Sequence, residues 1–123
     1  MPEVVLPFAT LKNNPQLIQN LKLLRRTIVS RFHTLGIVAE GIDNTLIEFL
    51  KTISEFVRQV SIYMGNRESF SADCIFSLHK AGVKFDRLQI ERLDFRAHMS
   101  RDRAEVFRIM SEVGIQMDKT KFQ

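Results

Sequence analysis

Cysteine is nearly absent from this 123-residue chain. Cys74 stands alone, so no internal disulfide can form and a reducing compartment is the natural setting. Its apolar neighbours mark it as a buried thiol. Tryptophan is missing, and tyrosine occurs once, at Tyr63. Only 5 glycines and 3 prolines are present, which leaves few turns and favours a small number of long helices. No run of five or more like charges occurs, so there is no basic or acidic tail. No apolar stretch approaches the ~20 residues of a membrane span. The opening "MPEVVLPFA" carries Glu3 and two prolines without a basic segment ahead of it, unlike a signal peptide.

What is present is a globular composition, 45% hydrophobic and 26% charged, with a net charge of +4. All three prolines lie within residues 1–15, which read as an extended arm with Val4, Val5, Leu6 and Phe8 available for docking. Asn14 and Pro15 then open a helix as N-cap and first helical residue. Leu17, Leu21, Leu24, Ile28, Phe32 and Leu35 continue it as one stripe, up to Gly36.

A second helix is predicted from near Gly41–Asp43 to Gly65–Asn66. Its stripe is Ile42, Leu46, Phe49, Leu50, Ile53, Phe56, Val57, Val60 and Tyr63, about six turns. A short third helix begins at Ser71 or Ala72, carries Ile75, Phe76 and Leu78, and stops at Gly82. In residues 85–99 the pairs Leu88/Ile90 and Leu93/Phe95 alternate like a strand. Phe85, Leu88, Phe95 and Met99 fit a helix, and the helix formers around them favour that reading. A last helix spans about 102–113, with Asp102 and Glu105 spaced as a capping box and Gly114 at its end. No internal repeat is evident.

The expected fold is therefore all-α, with helices in the order medium, long, short, followed by two more. A long helix flanked by two shorter ones does not hide its stripe within one chain easily. "LIEFLKTISEFVRQVSIYMGNRESFSADCIFSLHKAG" resembles the second helix, second loop and third helix of the histone fold. "RFHTLGI" before "EGIDNTLIEFL" is similar to histone-fold factors associated with the TATA-binding protein. The resemblance divides the chain into an arm at 1–15, a histone-fold core at 16–83 and a helical extension at 84–123.

It implies a non-enzymatic subunit of a nuclear transcription or chromatin complex. Such a subunit heterodimerises with another histone-fold protein by a head-to-tail handshake, without cofactor or metal. The implied partner-binding residues are Leu46, Phe49, Leu50, Ile53, Phe56, Val57, Val60, Tyr63, Phe70, Ile75 and Phe76. Arg67 and Asp73 would clamp the second loop, and Phe70 would pair, strand-like, with the partner's first loop. Lys22, Arg25, Arg26 and Arg31 form a candidate DNA-contact patch. Without the arginine-rich tail and loops of core histones, a complex subunit fits better than DNA wrapping.

A looser resemblance links "LKLLRRTIVSRF" to the opening helix of Leu-Tyr-Arg mitochondrial accessory proteins, with Leu24 in place of the tyrosine. The alternative function is thus a self-contained helical-bundle adaptor or accessory subunit of a larger assembly. It could be bacterial, viral or mitochondrial, and located in the cytoplasm or mitochondrion. His33, His79 and His98 lie far apart on different segments, and no HExxH, CxxC, GxSxG or phosphate-loop motif occurs, so the residues carry no catalytic or metal signature.

Overall fold

The computed structural model describes residues 3–27, 34–66, 68–94 and 102–116. The chain is not all-α. It alternates strand and helix: β1 (Glu3–Pro7), α1 (Phe8–Lys12), α2 (Pro15–Thr27), β2 (Thr34–Ala39), α3 (Asn44–Ile53) and β3 (Gln59–Met64). Then follow β4 (Phe70–Ser71), α4 (Asp73–Ala81), β5 (Arg87–Ile90), β6 (Leu93–Asp94) and α5 (Arg103–Val113). Four strands form one parallel sheet in the order β1-β2-β3-β5, and β4 pairs with β6 beside it. The strands add in chain order without reversal. Right-handed crossovers taken in one direction stack every connecting helix on the same face of the sheet.

The side chains follow that geometry. Along β2, Leu35, Ile37 and Ala39 point to the helices and are buried. Along β3, Val60 and Ile62 do the same. They meet Leu11 of α1, Leu46, Leu50 and Ile53 of α3, Ile75 and Leu78 of α4, and Met110 and Val113 of α5 in a single core. Burying these apolar groups from both layers is the main driving term for the fold.

The register exposes a repeat that sequence reading passed over. Val4 pairs with Leu35, Leu35 with Val60, Val60 with Leu88, and Leu88 with Ile115 through an isolated parallel bridge. The same rung thus recurs at positions 4, 35, 60, 88 and 115, at intervals of 25–31 residues. Leu6, Ile37, Ile62 and Ile90 form a second apolar rung. Each β–α unit leans on its neighbours, as in a short solenoid.

Several sequence expectations hold. Asn14 caps α2, accepting from the Leu17 amide at 3.2 Å. Asp102 caps α5, accepting from the Ala104 amide at 2.9 Å. Gly82 and Gly114 end α4 and α5 in left-handed backbone, with φ +84° and +95°.

The long second helix does not hold. It ends at Ile53, where the Ser54 hydroxyl donates to the Lys51 carbonyl and Val57 turns back onto Ile53. β-Branched Val57, Val60 and Ile62 then favour an extended chain, and Gln59, Ser61 and Tyr63 alternate with the apolar positions. The first helix is described over Pro15–Thr27, its expected continuation through Ile28 and Phe32 lies outside the described residues, and Leu35 belongs to β2. The helix expected at 85–99 is a strand at its start, and the alternation of Leu88 with Ile90 was the correct signal there. Within the expected arm, Glu3–Pro7 is extended and pairs with β2, and Phe8–Lys12 forms the short helix α1.

Candidate functional site

These corrections dissolve the histone-fold interface. The handshake needs one continuous central helix, and α3 and β3 divide that segment between the two layers. Leu46, Phe49, Leu50, Ile53, Phe56, Val57 and Val60 are each at most 9% exposed, covered by this chain's own sheet and helices. Ile75 is buried in α4, and Phe76 packs half-buried against the same core. Phe70 does make a strand pairing, but with Leu93 of β6 in its own chain. Arg67 lies outside the described residues, so the clamp reduces to Asp73. That residue opens α4, its amide donating to the Ser71 hydroxyl at 3.2 Å. In the candidate DNA patch, the Lys22 ammonium sits 5.4 Å over the Phe56 ring. Arg31 and the side chains of Arg25 and Arg26 lie outside the described residues, as do His33 and His98.

Chemistry of the usual catalytic kind is not assembled among the described residues. No group of three or more His, Cys, Asp or Glu converges there as a metal site. Cys74 is 8% exposed, and burial, with Asp73 beside it, pushes its thiol up to about 12, far from an activated nucleophile. No helix among the described residues is long and apolar enough to cross a membrane.

The distinctive feature is the face of the sheet opposite the helices. Alternation along each strand sends every second side chain to it. Its rungs are Glu3, Thr34, Gln59 and Arg87; Val5, Gly36, Ser61 and Gln89; and Pro7, Val38 and Tyr63. Parallel sheets commonly carry apolar residues on both faces, because helices cover both. Here this face is mostly polar: Glu3, Val5, Pro7, Arg87 and Gln89 are exposed, Thr34, Val38, Gln59 and Tyr63 are half-buried, and Gly36 and Ser61 are buried. It holds a shallow depression of about 190 Å³, lined by Glu3, Thr34, Gln59, Val60, Ser61, Tyr63, Arg87 and Gln89.

Cross-strand hydrogen bonds order this face. The Thr34 hydroxyl donates to Gln59 Oε1 at 3.3 Å, and the Ser61 hydroxyl donates to Gln89 Oε1 at 3.3 Å. The Tyr63 hydroxyl donates to Glu3 Oε1 at 2.6 Å, reaching across β2. Gly36 permits that reach. A Cβ there would lie 3.0 Å from Glu3 Oε1, 3.1 Å from Tyr63 Cε2 and 2.8 Å from Val5 Cγ2. The glycine is needed for close approach, not for unusual backbone.

The bond to Glu3, reinforced by burial and by the charges of Glu3 and Glu91, raises the Tyr63 pKa above its ordinary 10.0, against a smaller opposing effect of Ser61. A raised folded-state value means that the phenol adds stability below its unfolded pKa. That contribution is lost as pH rises through the folded value. Glu3→Gln is expected to move the titration to lower pH, read as tyrosinate absorbance. Tyr63 is the one tyrosine in the chain and tryptophan is absent, so the signal is unambiguous. An unchanged midpoint would show that the pair does not form in solution.

Two further clefts lie at the carboxyl ends of the strands. One, of about 410 Å³, touches Pro7, Lys12, Ala39 and Asp43; the other, of about 320 Å³, touches Met64, Phe70, Ser71 and Cys74. They share Glu40 and Gly41.

Sequence reading placed Tyr63 among functional residues for another reason and missed Gln59, Ser61, Arg87 and Gln89. The signal available for them was the polar alternation between Val60 and Ile62 and between Leu88 and Ile90. No family model, curated protein or solved structure matches the chain.

Proposed function

We propose that this chain is a non-enzymatic protein-interaction module that docks a partner on its polar sheet face, within a larger assembly. One observation carries the reading. One face of a parallel sheet carries mostly polar side chains, six of which (Glu3, Thr34, Gln59, Ser61, Tyr63 and Gln89) are joined in cross-strand hydrogen bonds. Stacked β–α units make extended surfaces of this kind, which suit macromolecular partners. Amides, hydroxyls and a guanidinium recognise hydrogen-bonding groups rather than react with them. Ordered side chains lose less entropy on binding than mobile ones, so the cross-strand pairs also favour recognition. The scaffolding role expected from the sequence is retained in this proposal. The histone-fold partner is not, and the nuclear location implied by that resemblance has lost its premise.

Photo-crosslinking at defined positions tests the proposal. A photoreactive residue replacing Gln89 or Val38 on the polar face, compared with one replacing exposed Glu48 on α3, is expected to give a discrete crosslinked species from the face alone. Equal crosslinking from both surfaces, or none from the face, would reject it.

A further inference from the structure

The polar face is not evenly provided with donors and acceptors. Gln59 faces Arg87 across β3 and β5, and Ser61 faces Gln89 one rung further along. Adjacent strands stand about 4.8 Å apart, and same-face neighbours along a strand about 6.6 Å apart. The four residues therefore frame a patch of roughly carboxylate size.

Within that patch each glutamine oxygen already accepts one bond, and among the described residues the amide and guanidinium donors meet no acceptor. Gln59 Oε1 already accepts from Thr34, and Gln89 Oε1 from Ser61. Each amide nitrogen still has hydrogens to donate. Arg87 is exposed and forms no ion pair with the described residues. Arg58, Arg92 and Arg108, by contrast, each have a carboxylate partner. The corner thus offers several donors, one of them charged, that meet no carboxylate among the described residues.

We propose that the Gln59–Arg87–Gln89 corner receives a side-chain carboxylate from an extended acidic segment of the docked partner. This deepens, and rests on, the reading of the polar face as a docking surface. The chain's net charge of +4 complements such a segment. The guanidinium fork takes a carboxylate in two parallel hydrogen bonds, and the glutamine amides supply further donors. Glu3 lies on the β1 side of the same depression, where it holds Tyr63, and directs the incoming anion to the β3–β5 half. Nucleic acid fits less well. Gripping phosphates takes several cations, and among the described residues this face has one guanidinium, with Glu3 at its far side.

The test is an NMR titration of the full chain at about 0.15 M salt, a physiological ionic strength. The probe is a hexaglutamate peptide with blocked ends, followed through the side-chain signals of Gln59, Gln89 and Arg87. All three are expected to shift. Arg87→Ala should weaken binding about tenfold, the scale of one lost charge-assisted hydrogen bond pair. Arg87→Lys, which keeps the charge without the fork, should recover only part of it. Arg87 is exposed, so both variants should fold normally.

No shift with hexaglutamate, or unchanged affinity in Arg87→Ala, overturns the proposal. Equal binding by hexaglutamine overturns the carboxylate but leaves the docking face standing. Equal binding by acetate at matched carboxylate concentration points to a small free anion and overturns the peptide segment. Tighter binding of a decathymidine strand to the same residues overturns it in favour of nucleic acid. Crosslinking at position 38, outside the corner, judges the docking face independently, so the two failures are distinguishable.

Discussion

Gly114→Ala is expected to destabilise the protein by about 3 kcal/mol, a backbone-strain and steric cost near the upper range for one methyl group. Two causes add. Gly114 ends α5 with φ +95°, which a side chain disfavours by about 1 kcal/mol. Its Cβ would also lie 2.0 Å from the Phe85 carbonyl oxygen and 2.9 Å from the Phe85 carbonyl carbon. These are backbone atoms, and they are held. The Phe85 amide donates to the Val113 carbonyl at 3.0 Å, and the Leu88 amide donates to the Gly114 carbonyl at 2.8 Å. The Gln116 amide returns to the Leu88 carbonyl at 3.2 Å. Separating the two segments would break the pairing that closes the β5 edge.

Gly82→Ala is the control. Its φ is +84°, but the nearest atom to a new Cβ is Lys51 Cε at 4.0 Å, the end of a flexible chain. About 1 kcal/mol is expected there, from conformation alone. Urea unfolding of both variants at equal m-value isolates the steric part. Equal costs for the two would mean that residues 114–116 do not dock on β5.

Leu50→Ala is expected to cost the isolated chain about 3 kcal/mol, within the range of buried leucine truncations. Leu50 is 0% exposed, at the centre of the α3 face that packs on the sheet. Glu48→Ala, exposed on the same helix, should stay within about 0.5 kcal/mol. The comparison separates two physical pictures. If the stripe from Leu46 to Val60 were a surface for a second chain, Leu50→Ala would cost pairing and leave the lone chain's stability nearly unchanged. A loss measured on a monomer, with mass checked by sedimentation, places the stripe in the chain's own core. A stability change below about 1 kcal/mol, small for a buried leucine, would contradict the packing of α3.

What the residues determined alone was local. Asn14, Asp102, Gly82 and Gly114 act on backbone groups within a few positions, through caps and left-handed turns. The beginning of α2, the short helix α4 and both ends of α5 could therefore be read from spacing. The identity of the core was also legible, because Leu46, Leu50, Ile53, Ile75 and Leu78 are apolar in any arrangement. Which layer they cover was not. Ile53, Phe56, Val57 and Val60 keep helical spacing although the helix ends among them, because a turn and an alternating strand reproduced that spacing over so short a run. Only tertiary structure could decide between the two. A parallel strand makes its hydrogen bonds with residues 25 or more positions away, and no local preference encodes that register. The binding face depends on the register entirely. Thr34, Gln59, Ser61, Arg87 and Gln89 are ordinary polar residues in the sequence. They become one surface because Leu35, Val60 and Leu88 align on the opposite side of the sheet, and Tyr63 reaches Glu3 because Gly36 lies between them.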